Sequence, residues 1–213
     1  MACIWDKIRA SESDRYVGAH KHLEAVLFSR DCGGGAQRRP DKQVGSIRGI
    51  SAGIELDDAM TRAVSAIVNG TRHFELTDIG HAVRRILKTL RTDHDFTPVD
   101  TQRKVTSIKD RVSPILDLIG VTSKGVPVIV EIKCGSTAGS GRLTSGMRFF
   151  QAPMQRVRDT WRNRSFAQLS VQRAAVLCTS ERAGIKLKRI ICLLACVAPD
   201  GNVRIMKLAR SFY

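Results

Sequence analysis

Three polar residues interrupt two apolar stretches near the middle of the chain. Asp117 lies in the first stretch, and Glu131 and Lys133 lie in the second. Side chains alternate along a β-strand, so Glu131 and Lys133 share one face, and Asp117 on a neighbouring strand can join them. Carboxylates bind Mg²⁺ or Mn²⁺, which stabilise charge on a phosphate and lower the pKa of a bound water. With a lysine to orient that water, the set fits hydrolysis of a phosphodiester bond.

A simpler interpretation of the same residues is a half-exposed β-hairpin. Asp117 would lie at its rim, and Glu131 and Lys133 would form an ion pair in solvent, as is common on the open face of a sheet. The elements around the three residues therefore decide between the two interpretations.

Those elements follow from the spacing of apolar residues. In some segments the apolar residues recur at helical spacing, and in others they follow the pattern of a strand. Ser123-Lys124-Gly125 supplies a turn between two of the strands. The predicted helices span residues 51–68, 77–90 and 166–178. The predicted strands span residues 98–105, 115–121, 126–132, 190–197 and 203–208. A hairpin therefore carries the three polar residues, with helices before and after it.

This hairpin resembles the motif of the PD-(D/E)XK nuclease superfamily, an Asp on one strand and Glu-x-Lys on the next. In this chain the matching residues are Asp117 and Glu131-Ile132-Lys133. The resemblance covers about residues 53–208. It implies an α/β fold with a restriction-endonuclease-like core, in which helices flank a central mixed β-sheet.

The helix after the hairpin resembles the same element of the exonuclease and RecB-like branch, which carries a Gln followed by Leu. Here the pair is Gln168-Leu169. That branch often has Tyr one turn beyond the Gln, where this chain has Gln172, a departure from the pattern of the branch. The resemblance implies that Gln168 acts with Asp117, Glu131 and Lys133 as the catalytic set.

The resemblance also implies one more metal ligand, on the helix before the strands and a few residues after a glycine. Glu55, Asp57 and Asp58 all follow Gly53. Asp57 is favoured as the ligand because it lies one helical turn past Gly53. A structural explanation accounts for the three acidic residues equally well: they would form an acidic first turn that complements the helix dipole. The predicted ligands of Mg²⁺ or Mn²⁺ are Asp57, Asp117 and Glu131.

Positive charge is the other prominent feature. The formal net charge is +15, and residues 142–189 alone hold eleven Arg and Lys against two Asp and Glu. Such an excess attracts polyanions, so nucleic acid is the expected partner, and the nuclease resemblance implies that it is DNA. A ribosomal or chromatin protein would show the same charge. The predicted nucleic-acid-binding residues are Arg142, Arg148, Arg156, Arg158, Arg162 and Arg164.

Length and cysteine usage limit the remaining possibilities. We expect residues 1–50 to form a basic, partly flexible N-terminal extension and residues 51–213 to form the nuclease-like domain. The six cysteines show no zinc spacing, and no apolar run is long enough to span a bilayer. We therefore expect no membrane partner and an intracellular location, such as the nucleus or another compartment that contains DNA. The sequence does not set the oligomeric state.

These observations lead to three hypotheses about function. The first is a Mg²⁺-dependent exonuclease-like enzyme that hydrolyses phosphodiester bonds of DNA. The second is a catalytically weak nucleic-acid-binding or assembly protein that retains the nuclease fold, and the third is a structural basic protein such as a ribosomal or capsid component. The sequence leaves open whether the substrate is DNA or RNA and whether cleavage begins at an end.

Overall fold

The computed structural model describes residues 4–8, 18–19, 23, 49–71, 74–107, 111–135, 157–158 and 160–208. The helices are α1 (Ile4–Lys7), α2 (Gly49–Val68), α3 (Asp78–His94) and α4 (Trp161–Arg182). The strands are β1 (Phe96–Lys104), β2 (Ile115–Thr122), β3 (Pro127–Cys134), β4 (Ile191–Val197) and β5 (Val203–Lys207).

The five strands form one mixed sheet in the order β1-β2-β3-β4-β5. Neighbouring strands are antiparallel except β3 and β4, which run parallel. A parallel pair needs a long crossover, and the segment that carries α4 provides it. The expected α/β class, with helices flanking a mixed sheet, is thus confirmed.

One face of the sheet packs against α2 and α3. Leu56 and Met60 of α2 and Ile86 of α3 are buried with Val130 and Leu193 of the sheet. These apolar side chains recur at helical spacing along α2 and α3, which is why the two helices lie against this face. This layer brings the first half of α2 to the end of β3.

The opposite face packs against α4 and the first residues of the chain. Leu169 of α4 is buried with Ile129 and Leu194 of the sheet, and Trp5 and Ile8 join the same cluster. The indole of Trp5 also donates a hydrogen bond to the carbonyl of Gly120, over 2.7 Å. Trp5 and Ile8 are therefore part of the core, while most of the predicted N-terminal extension lies outside the described residues.

Threonine side chains cap the first turns of α3 and α4. The Thr77 side chain accepts the Gly80 amide and starts α3, as expected, but α3 runs four residues past its predicted end to His94. The predicted start of α4 at residue 166 is wrong. The Thr160 side chain accepts the Asn163 amide, so α4 begins at Trp161.

No helix within the described parts of the chain is both long enough and apolar enough to cross a membrane.

Candidate active site

The site is formed where β2 and β3 separate. Their ladder runs from the pair Val121 and Pro127 to the pair Leu118 and Val130. Beyond that pair, Asp117 Oδ2 accepts the backbone amide of Ile132 at 2.8 Å. The Asp117 side chain thus replaces a ladder partner and is held against β3 at the position where the strands part.

Glu131 and Lys133 lie on β3 beside this point. Lys133 Nζ donates a hydrogen bond to Glu131 Oε1, forming an ion pair. The Glu131 side chain is only 1% exposed, whereas that of Lys133 is 37% exposed. The pair therefore joins a buried carboxylate to a lysine whose side chain is partly exposed.

Helix α2 brings Asp57 to the same group. A Cβ at Gly53 would lie 3.6 Å from Cys134 Sγ, so the first turn of this helix passes close to the end of β3. Burial and the nearby carboxylate of Glu131 raise the pKa of Asp57, while Lys133 opposes the shift. Asp57 therefore lies within electrostatic range of both β3 residues.

The other two acidic candidates of α2 point elsewhere. Glu55 and Asp58 are exposed and line a separate surface cavity with Arg62 and Glu75. Of the three acids after Gly53, Asp57 is the one that the helix directs toward β3.

The charges in the group are unbalanced. Burial, and then the neighbouring Glu131, hold the pKa of Asp117 well above its ordinary value, despite the Lys133 ammonium and the Ile132 amide. Burial alone would lower the pKa of Lys133, but Glu131 and Asp117 together raise it above its ordinary value. Three carboxylates thus share one ammonium, and two of them resist ionisation.

A glutamine of α4 completes the group. Gln172 is fully buried and donates hydrogen bonds to Glu131 Oε2 at 2.5 Å and to the Ile115 carbonyl at 3.1 Å. Gln168, the glutamine that the resemblance places in the catalytic set, lies one turn earlier and is half-buried. Among the described residues it has no hydrogen bond to Glu131. Sequence reasoning missed the contact of Gln172 with Glu131, because it noted Gln172 only as a departure from the pattern of the branch.

The predicted nucleic-acid-binding residues are placed only in part. Arg158 is exposed just before α4, and Arg162 and Arg164 are half-buried in its first turn. The three others lie outside the described residues, namely Arg142, Arg148 and Arg156.

The carboxylates fit a divalent cation in chemistry, although they are not preassembled around one. Within the described ranges, no three His, Cys, Asp or Glu side chains already form a metal-binding group. Asp117 is engaged by the Ile132 amide, and Glu131 by Lys133 and Gln172, so their side chains must partly reorient to share an ion. Hard oxygen ligands with excess negative charge are nevertheless what Mg²⁺ and Mn²⁺ require.

No family model matches this chain, and a search of curated proteins finds no relative. The geometry of the site and the motif on β2 and β3 are therefore the basis for a functional proposal.

Proposed function

We propose that the protein is a metal-dependent nuclease of the PD-(D/E)XK type, with a restriction-endonuclease-like core, which hydrolyses phosphodiester bonds of DNA. The observation that supports it is the convergence of Asp57, Asp117 and Glu131 around Lys133 at the point where β2 and β3 separate. A half-exposed hairpin with a solvent ion pair would not bury Glu131 to 1% exposure or bring a third carboxylate from a helix.

The residues that would hold the ion are Asp57, Asp117 and Glu131. When bound, Mg²⁺ or Mn²⁺ neutralises charge on the phosphate and supplies a water of lowered pKa. Without the ion, burial, and then repulsion by the neighbouring Glu131 carboxylate, raise the pKa of Asp57 and of Asp117. Ionisation of these carboxylates is therefore unfavourable without a cation, and a bound cation would favour it.

Lys133 acts through its charge. The ammonium is paired with a buried carboxylate, and the Lys133 side chain is partly exposed, so a phosphate that enters the site can approach it. There it orients the attacking water and stabilises the negative charge that grows in the transition state. Glu131 and Asp117 favour its protonated form, so the positive charge is present at neutral pH.

The basic surface brings the substrate to this point. A net charge of +15 attracts the phosphate backbone at long range, and Arg158, Arg162 and Arg164 lie at the start of the helix that carries Gln172. Such contacts position nucleic acid without reading its sequence. We therefore expect binding that depends on salt and cleavage with little sequence preference.

One observation favours the second candidate, a nucleic-acid-binding protein of weak activity. The carboxylates of the described chain do not already form a metal-binding group, and Lys133 occupies Glu131 instead. In that case Glu131 and Lys133 would be a structural ion pair, and the charge of the surface would be the functional feature.

The two candidates are separated by incubating the protein with labelled single- and double-stranded DNA and RNA in Mg²⁺, Mn²⁺ or EDTA. A nuclease converts at least one DNA substrate to shorter products in metal and none in EDTA. Binding in a gel shift without products, in every metal and on every substrate, would favour the weakly active binder.

A further inference from the structure

Gln172 is the one fully buried side-chain amide that touches the acidic group in the described part of the chain. It lies on the inner face of α4, 0% exposed, and its Nε2 reaches across to Glu131 on β3. The amide is thus part of the floor of the site, although no substrate can contact it directly.

The two partners of Gln172 determine the orientation of its amide. The Glu131 carboxylate and the Ile115 carbonyl are both acceptors, and Nε2 has one hydrogen for each. The flipped amide would set its oxygen against two acceptors, so it is excluded. Gln172 therefore acts as a double donor that joins α4 to β2 and to Glu131.

This arrangement has a cost to stability. Gln172 Oε1 is buried and has no hydrogen-bond partner among the described residues. A buried acceptor without a donor is unfavourable, and an apolar side chain at this position would avoid that cost. The amide is therefore better explained by what its donor does for Glu131 than by packing.

We propose that Gln172 is the positioning residue of the acidic group: it fixes the orientation of Glu131, and Gln168 does not. Each Glu131 oxygen has its own donor, Lys133 on Oε1 and Gln172 on Oε2. If Lys133 moves toward a phosphate, the hydrogen bond from Gln172 still holds the carboxylate in place. This inference rests on the proposed function, because it concerns the same carboxylate acting as a metal ligand.

The consequence concerns metal affinity more than nucleic-acid affinity. Removing a hydrogen bond that orients a metal ligand typically changes metal affinity or activity by about 10- to 100-fold. Gln172 is buried, so its replacement leaves the surface that meets the phosphate backbone unchanged. The effect should therefore appear in metal binding and in the maximal cleavage rate, with the Kd for DNA unchanged.

The test compares Gln172→Met with Gln168→Met, which makes the same substitution one helical turn away. Mn²⁺ affinity is measured by calorimetry without DNA, cleavage by single-turnover kinetics, and DNA binding in EDTA. We expect Gln172→Met to weaken Mn²⁺ binding and slow cleavage at least tenfold, whereas Gln168→Met should keep the Mn²⁺ affinity within about twofold of wild type. If Gln172→Met does not fold, Gln172→Asn, which keeps a shorter amide, is measured in its place with the same expectation.

The outcomes separate this inference from the proposed function. If wild type binds Mn²⁺ and cleaves DNA while the Gln172 variants match it, or if Gln168→Met weakens Mn²⁺ binding as much as Gln172→Met does, the positioning role is wrong and the nuclease remains. If wild type neither binds Mn²⁺ nor cleaves any substrate, both the nuclease and the role of Gln172 are wrong.

Discussion

Removing the Lys133 ammonium should damage catalysis far more than it damages folding or DNA binding. Lys133→Ala deletes the group that contacts Glu131 Oε1 and, in the proposed mechanism, the scissile phosphate. Lys133→Arg keeps a positive charge but replaces a compact ammonium by a planar fork. The two variants therefore separate the need for charge from the need for its shape.

The expected magnitudes follow from the surroundings of Lys133. A hydrogen bond to a charged group contributes about 1.5–3 kcal/mol, and the 37% exposure of Lys133 places this pair near the lower end. A loss of about 2 kcal/mol in a chain of this size lowers Tm by roughly 4–8 °C, so the variant stays folded at room temperature. Loss of one preorganised charge in the transition state costs about 100-fold or more in rate.

The assay is single-turnover cleavage beside a DNA-binding titration, for wild type, Lys133→Ala and Lys133→Arg at equal Mg²⁺. We expect cleavage to fall about 100-fold or more in Lys133→Ala, incomplete rescue in Lys133→Arg, and a DNA Kd within a few-fold of wild type in both. Equal rates in all three proteins would refute the catalytic role of Lys133. A parallel loss of binding and rate would instead make it a binding residue.

Three further predictions concern other parts of the structure. Because burial and Glu131 raise the folded pKa of Asp117, its contribution to stability is present below the unfolded pKa and is lost as pH rises through the folded pKa. In EDTA, the free energy of unfolding of Asp117→Asn should therefore exceed that of wild type by on the order of 1 kcal/mol near neutral pH, and by less at about pH 5. If wild type and Asp117→Asn have the same urea midpoint as each other at both pH values, this prediction is wrong. Gly120→Ala should lower the free energy of unfolding by about 1–3 kcal/mol, because a Cβ there would lie 2.2 Å from the Thr97 carbonyl oxygen and 2.3 Å from the Phe96 ring; an unchanged urea midpoint would show that this close approach is wrong. Replacing the arginines at the start of α4 by Ala should reduce the salt dependence of duplex binding by about 0.9 in log–log slope for each phosphate that is no longer neutralised, and an unchanged slope would mean that DNA lies elsewhere. These arginines are Arg158, Arg162 and Arg164.

The hairpin could be predicted from sequence because its signals are local. Apolar stretches on both sides of Ser123-Lys124-Gly125 predict two antiparallel strands, and Gly125 has the left-handed φ of 70° that such a turn requires. Alternation along β3 likewise put Glu131 and Lys133 on one face, and the structure has them in contact. Both predictions depend only on residues close in the chain.

Helix α4 was harder to predict because its buried face is partly polar. Gln172 and Ser180 are both fully buried, so the apolar residues alone do not mark the whole buried face of the helix, and the helical periodicity in the sequence is weak. The start of α4 is marked by a local signal, the N-cap Thr160, whose side chain accepts the backbone amide of Asn163 three residues later. That signal was present in the sequence and was missed.

The choice among the acids of α2 depends on tertiary structure. Glu55, Asp57 and Asp58 are all acidic and lie close together on α2, so only the rotation of α2 against β3 determines which of them faces the site. The one clue was spacing from Gly53, which lies beside Cys134 and thus marks the face of α2 toward β3. Nothing local could reveal the hydrogen bond of Gln172 with Glu131, because it joins residues 41 positions apart.

In the proposed mechanism, the carboxylates where β2 and β3 separate catalyse metal-dependent hydrolysis. Single-turnover cleavage of labelled DNA in Mg²⁺ by wild type, Glu131→Gln and the matched exposed control Asp58→Asn tests this role. We expect cleavage at the same rate by wild type and Asp58→Asn, cleavage slower by about 100-fold or more in a folded, DNA-binding Glu131→Gln, and no products in EDTA. Equal cleavage by all three proteins, or cleavage by wild type in EDTA, would contradict it.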